Sequence, residues 1–194
     1  MMGPHDVLLS DVGVHKMWIA RYYQCHEPNT CLIPVGFCSM GFALPGAISA
    51  QRVFPDRRIM AICGDAGFLM NVQEMETAVR IGSNIVVMIW EDHEYGLIAW
   101  KQQNEFGRHT DLSFGNPDFV ALARAFGWNG YRVEKSVELR STLEEAFRAE
   151  GPSLVGLPID YRENVLLTQR LGNIQCPIWE ICEFFAPQGA TTAP

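Results

Sequence analysis

Short apolar runs alternate with longer amphipathic stretches along most of the chain. The runs at residues 58–64 and 84–91 are nearly continuous in Ile, Val, Met and Ala, as in strands buried on both faces. Shorter runs at 6–10, 31–35, 131–134 and 153–159 read as further strands. Helical spacing fills the gaps: residues 13–23, a small-residue helix at 40–53 with Pro45 in its first turn, and residues 70–81. A helix or lid segment follows from Tyr95 to about Asn104. Asn116-Pro117-Asp118 opens a helix over 119–126, which Gly127 closes. Ser136 is placed to cap a helix over 137–149, with Glu138 in its first turn. Strands alternating with helices predict an α/β fold: a three-layer, doubly wound parallel sheet with helices on both faces. Residues 1–176 form one domain in this reading. Residues 177–194 form a tail, read either as a docking helix at 177–185 or as disordered or non-native sequence.

Two strands end in carboxylates. Gly64-Asp65-Ala66-Gly67 closes the run at 58–64, and Glu91-Asp92-His93-Glu94-Tyr95-Gly96 closes the run at 84–91. The strand-helix-strand unit between them puts Asp65 and Asp92 at the carboxyl edge of the sheet, where open α/β folds bind ligands. Two hard oxygen ligands suit Mg²⁺, which takes one or two carboxylates and fills its octahedron with water and phosphate oxygens. Gly64 and Gly67 let backbone approach a phosphate. The expectation is a diphosphate held through a metal.

Composition narrows the field. A chain of 194 residues, 48% hydrophobic and 19% charged, is globular and large enough for its own core. A net charge of −7 and the lack of a basic run argue against a nucleic-acid partner. No apolar stretch of about 18 residues predicts a membrane span. The N-terminus lacks the basic and apolar regions of a signal peptide, so the expected location is cytoplasmic. Six cysteines form no C-x-x-C pair and five histidines show no ligand spacing. Buried, reduced thiols are expected, and zinc is not.

The two acidic motifs also resemble the thiamine-diphosphate signature, in which G-D-G is followed after a fixed gap by N-N-x-x-Y-G. Ala66 replaces its second glycine, which a residue with negative φ tolerates, and Glu91-Asp92 replaces the two asparagines. Segments 10–22, 36–46, 67–78 and 158–164 are similar to those of acetolactate synthase-type enzymes. Together they cover roughly residues 6 to 177 and correspond to the C-terminal, diphosphate-binding domain. The resemblance implies thiamine diphosphate and Mg²⁺ as cofactors. It implies Asp65, Asp92 and the backbone carbonyl of Glu94 as metal ligands. Gly64, Asp65, Ala66, Gly67, Asp92, Tyr95 and Gly96 would line the diphosphate. Cys38, Ser39 and Met40 would form the wall beside the cofactor rings. Met40 would be the wedge that bends the cofactor. His15 would lie with Gly36 at the pyrimidine end.

The implied reaction is decarboxylation of pyruvate and carboligation to 2-acetolactate. In this family a separate domain binds the aminopyrimidine and carries the activating glutamate. With nothing before residue 6, the resemblance implies that this domain or subunit lies elsewhere. The isolated chain would then be inactive, and a homo- or hetero-oligomer is expected. Two other readings stay open: a subunit of a sulfopyruvate- or phosphonopyruvate-type decarboxylase, and a non-catalytic truncated domain. A flavin requirement is also left open. Singly, several residues have plainer readings. Asp65 or Asp92 is equally a helix cap, Met40 core packing, and His93 a solvent-facing loop residue or an acid-base group.

Overall fold

The computed structural model describes residues 1–164. The chain divides into Met1–Ile159 and Asp160–Pro194, and the first unit carries the fold. The expected boundary at 176 and the expected docking helix lie outside the described residues.

Six parallel strands form one sheet in the order β2-β1-β3-β4-β6-β5. They are β1 (Val7–Ser10), β2 (Cys31–Leu32), β3 (Ile59–Gly64), β4 (Ile85–Glu91), β5 (Asn129–Arg132) and β6 (Ser153–Pro158). Alternation along each strand sorts the core into two layers. Val7, Leu9, Ile59, Ala61, Ile85, Val87 and Leu154 face one side, against α2 (Ala43–Val53), α3 (Asp65–Leu69), α4 (Glu74–Arg80) and α6 (Phe119–Ala125). Leu8, Met60, Ile62, Val86, Met88 and Val155 face the other, against α1 (Val14–Tyr22) and α7 (Leu139–Arg148). This is the doubly wound α/β sheet expected from the sequence.

The strand order fixes where a site can form. From β1 the chain winds outward to β2, then returns to β3 on the other side of β1. The carboxyl ends of β1 and β3 therefore flank a topological switch point, the place where such sheets bind ligands. The next strand, β4, is in register with β3, with Gly64 opposite Trp90. Asp65 and Asp92 thus leave adjacent strands at the same edge.

Several boundaries differ from the sequence reading. The expected helix at 70–81 begins earlier and breaks: α3 starts at Asp65, and α4 follows a turn in which Asn71 donates Nδ2 to the Gly41 carbonyl at 2.7 Å. α2 starts at Ala43 instead of residue 40, because Gly41 is left-handed at φ 82°. β2 keeps only two residues of the expected five. β5 sits two residues earlier than expected. Gly127 is left-handed and Trp128 N–H folds back to Ala123, so the ladder can begin with Asn129 N–H on the Pro152 carbonyl. Ser136 does not cap α7. It opens a 3-10 turn, Ser136–Glu138, and the Glu138 carboxylate accepts the Lys135 N–H at 3.2 Å. Asp118 does cap α6, its Oδ1 accepting from the Val120 and Ala121 amides at 2.9 Å each. α5 spans Gly96–Phe106 and ends at left-handed Gly107.

Among the described cysteines the expectation of buried thiols holds for Cys63 alone. Cys25 and Cys38 are exposed, Cys31 is half-buried, and all four are free. No helix among the described residues is long and apolar enough to cross a membrane.

Candidate functional site

Three adjacent strands, not two, end in aspartates at this edge of the sheet. Asp65 follows β3 and is 1% exposed. Its Oδ1 accepts the Ala66 N–H at 2.8 Å. Its Oδ2 accepts the His93 N–H at 2.9 Å and Nδ2 of Asn116 at 2.7 Å. Asp92 follows β4 and is half-buried. Burial, and then the neighbouring charge of Asp65, push its carboxyl up to about 7. Two carboxylates held this close repel unless a proton or a cation sits between them.

Asp11 follows β1 and is fully buried. It accepts the Val12 N–H at 2.7 Å, and the Gly41 N–H reaches both its oxygens at 3.0 Å. Burial raises its carboxyl, and these backbone donors pull against the rise. Asp11 also explains Gly67. A Cβ there would stand 2.7 Å from Asp11 Oδ2, so the motif's glycine is required by a close approach inside the protein. Ala66 lies within α3 and not among the positive-φ residues, so it needs no glycine. Its amide already serves Asp65.

His15 lies behind this edge, 2% exposed, with its ring 6.3 Å from that of Trp90. Burial lowers its pKa to about 4, so the ring is neutral. Its Nε2 has no hydrogen-bond partner among the described residues, and neither does the buried Oδ1 of Asn116. Buried polar atoms in folded proteins are almost always paired. These two unpaired atoms lie at the same sheet edge as the carboxylates, where a bound non-protein group would have polar partners. The carboxylate pair, with one lone-pair direction of Asp65 Oδ1 still open, fits a hard cation.

The other expected residues fall into two groups. Gly64, Ala66, Gly67 and Gly96 share the edge with the aspartates: Gly64 adjoins His15, and Gly96 packs against Asp92 Oδ2. Tyr95 turns its ring onto Phe114, centroids 5.2 Å apart. Glu94 sends its carboxylate to His109, 3.4 Å away, and pairs through its backbone with Ser113. Among the described residues no cluster of three or more His, Cys, Asp and Glu side chains forms, so any part of Glu94 in a metal site is through its carbonyl. Gly36, Cys38 and Ser39 lie on an exposed loop, where Cys38 adopts φ 50° and accepts from Lys16 Nζ at 3.4 Å. Met40 is half-buried at the end of that loop, next to Gly41, which Asp11 and Asn71 hold from both sides.

Glu91 is buried, ion-paired with Arg132, and fills the space a side chain at Gly156 would need. It is a sheet residue, not a ligand position. His93 is exposed and left-handed at φ 59°. Its backbone does the positioning, with the N–H on Asp65 and the carbonyl accepting from Phe114 at 2.9 Å.

Sequence reasoning missed Asp11 and Asn116. Asp11 carried the same signal as the other two aspartates, an acidic residue closing an apolar strand. Asn116 carried none, because its partner is 51 residues away.

The family profile described as "Thiamine pyrophosphate enzyme, C-terminal TPP binding domain" matches residues 11–157. The chain is 39% identical over 163 residues to an acetolactate synthase of Bacillus subtilis (strain 168), covering 84% of this chain and 29% of that protein. It is 41% identical over 167 residues to the catabolic acetolactate synthase of Raoultella terrigena, covering 86% and 30%. It is 34% identical over 165 residues to the mitochondrial acetolactate synthase catalytic subunit of Saccharomyces cerevisiae (strain ATCC 204508 / S288c), covering 84% and 24%. The chain thus spans less than a third of the length of these relatives.

Proposed function

This chain belongs to the thiamine pyrophosphate enzymes, as their C-terminal TPP-binding domain, and on that premise we propose that it is the diphosphate- and Mg²⁺-holding half of an acetolactate synthase-like active site. Thiamine diphosphate (the same molecule as thiamine pyrophosphate) is the family's cofactor and is used with Mg²⁺.

The observation that carries the reading is the Asp65–Asp92 pair: two carboxylates, one buried and the other raised by its own burial and then by the first one's charge, at the ends of adjacent strands. Each side chain would be a metal ligand, and the Glu94 carbonyl a third. The amides of Gly67 and Gly96 would face the diphosphate, while Ala66 N–H holds Asp65. Met40, Ser39 and Cys38 would form the wall beside the rings, with Met40 anchored through Gly41, and Gly36 would lie at the pyrimidine end. Bound there, the cofactor supplies an electron sink for decarboxylation of a 2-oxo acid. The relatives' names favour pyruvate as that acid and 2-acetolactate as the product. A pyrimidine-binding domain or subunit would complete the site, in an oligomer. The four free thiols among the described residues suit the reducing conditions of a cytoplasmic location.

Calorimetric titration of thiamine diphosphate into the full chain tests this. Heat that appears only with Mg²⁺ and vanishes in Asp65→Ala supports the half-site. No binding with or without the metal overturns it.

A further inference from the structure

We infer that Asn116 is a positioning residue of the metal centre: its amide holds Asp65 so that one carboxylate oxygen stays open to the cation. This rests on the half-site proposed above. Both donors on Asp65 Oδ2 come from outside β3, the His93 amide at 2.9 Å and Asn116 Nδ2 at 2.7 Å. Together they use both lone-pair directions of that oxygen. Oδ1 carries only the Ala66 amide, at 2.8 Å, so its second direction is the one free for a metal. The arrangement favours a single-oxygen contact, as the small octahedral Mg²⁺ requires.

The amide's orientation follows from chemistry. A carboxylate oxygen only accepts, so the NH₂ group must face it. This aims Asn116 Oδ1 elsewhere, and that atom is buried without a partner among the described residues. The residue is locked from the other side as well. Pro117 restricts Asn116 to extended backbone. Asn116 thereby reaches back 51 residues to fix a strand-end carboxylate. Hydrogen-bond partners of this kind tune metal sites through ligand orientation.

The test is the Mg²⁺ concentration that half-saturates thiamine diphosphate binding, read by calorimetry on the full chain, beside the melting temperature of the ligand-free protein. Asn116→Ala is expected to raise that concentration by about 10- to 100-fold. Asn116→Leu, which keeps the volume and removes the amide, is expected to do the same. Asp118→Ala loosens the start of α6 without touching Asp65. It is expected to lower the melting temperature and leave the Mg²⁺ requirement within about twofold. Asn116 variants within about twofold of the unaltered chain would overturn the inference while leaving the half-site intact. So would an Asp118→Ala shift as large as theirs, since loop structure would then explain the effect. An unaltered chain that binds no cofactor at all would overturn the half-site, and this inference with it.

Discussion

Gly96 and Asp92 are matched by exclusion: a Cβ at Gly96 would collide with Oδ2 of Asp92. Gly96 opens α5 with an ordinary negative φ, so backbone freedom is not why glycine stands there. The carboxylate occupies the space a side chain would take. Gly96→Ala therefore has to push Asp92 off its position. The expected result is at least a tenfold higher Mg²⁺ requirement for thiamine diphosphate binding, with α5 itself slightly favoured because alanine is the better helix former. Calorimetry across a Mg²⁺ series checks it, and an unchanged requirement would show that Asp92 is not the second ligand.

The neutral, buried His15 gives the fold an acid-sensitive element. Its pKa is about 4 in the folded chain against 6.5 for an ordinary histidine. Between those values the unfolded chain binds a proton that the folded chain refuses, so stability falls as pH falls through that window. The full difference is worth about 3 kcal/mol. Burial sets the shift, the Asp11 backbone opposes it and Lys16 adds to it. Asp92, raised to about 7, works in the opposite sense over the same range, losing stability as pH rises. The quantity to measure is thus the difference between the unaltered chain and His15→Asn. Urea midpoints from pH 7 to pH 4 should converge toward those of the variant at the acid end. Parallel curves would mean that His15 titrates normally.

Glu91 is the first residue of the pair that stands where the resembling signature has two asparagines, yet it belongs to the sheet. Its carboxylate is 5% exposed and its ionic partner is Arg132. Arg132→Leu would leave that charge buried and unpaired. The expected loss is about 2–3 kcal/mol, toward the low end for a broken pair because the guanidinium is partly exposed. Thiamine diphosphate binding at saturating Mg²⁺ should be unchanged. Denaturant unfolding and calorimetry on the same variant separate the two, and a binding loss without a stability loss would move Glu91 into the site.

Most of the fold was legible because its signals are local. Continuous apolar runs marked β3, β4 and β6, and Asp118 and Gly127 marked the ends of α6. What misled were places where tertiary contacts overrule local pattern. Asn71 breaks the expected helix at 70–81 to reach Gly41. Ser136, expected to cap α7, instead opens a 3-10 turn whose preceding amide, Lys135 N–H, goes to the Glu138 carboxylate. In the site, the chain spacing of Asp65 and Asp92 was readable, since one strand-helix-strand unit carries both. How the supports meet was not, although Asp11 itself closes an apolar strand as the other two aspartates do. Asp11, Gly41 and Asn116 come from distant segments that only the sheet order gathers.

Gly67 tests whether those supports act as one structure. Its missing Cβ makes room for Asp11 Oδ2, and the same carboxylate holds the Gly41 amide with both oxygens. Gly67 has no positive φ, so alanine is compatible with its backbone and only the contact objects. Both groups are buried and neither neighbour is the free end of a flexible chain, so the strain cannot be relieved cheaply. Gly67→Ala should cost roughly 1–3 kcal/mol of stability, the usual range for overpacking a tight interior. It should also loosen Gly41 and with it the Met40 loop. The two effects separate by measurement: urea unfolding reports the first, and limited proteolysis within residues 33–42 reports the second. Gly67→Ser adds a hydroxyl that can donate to Asp11 and should recover part of the stability. If alanine is tolerated with an unchanged urea midpoint, Asp11 is free to move, and the three strand-end aspartates are not one interlocked frame.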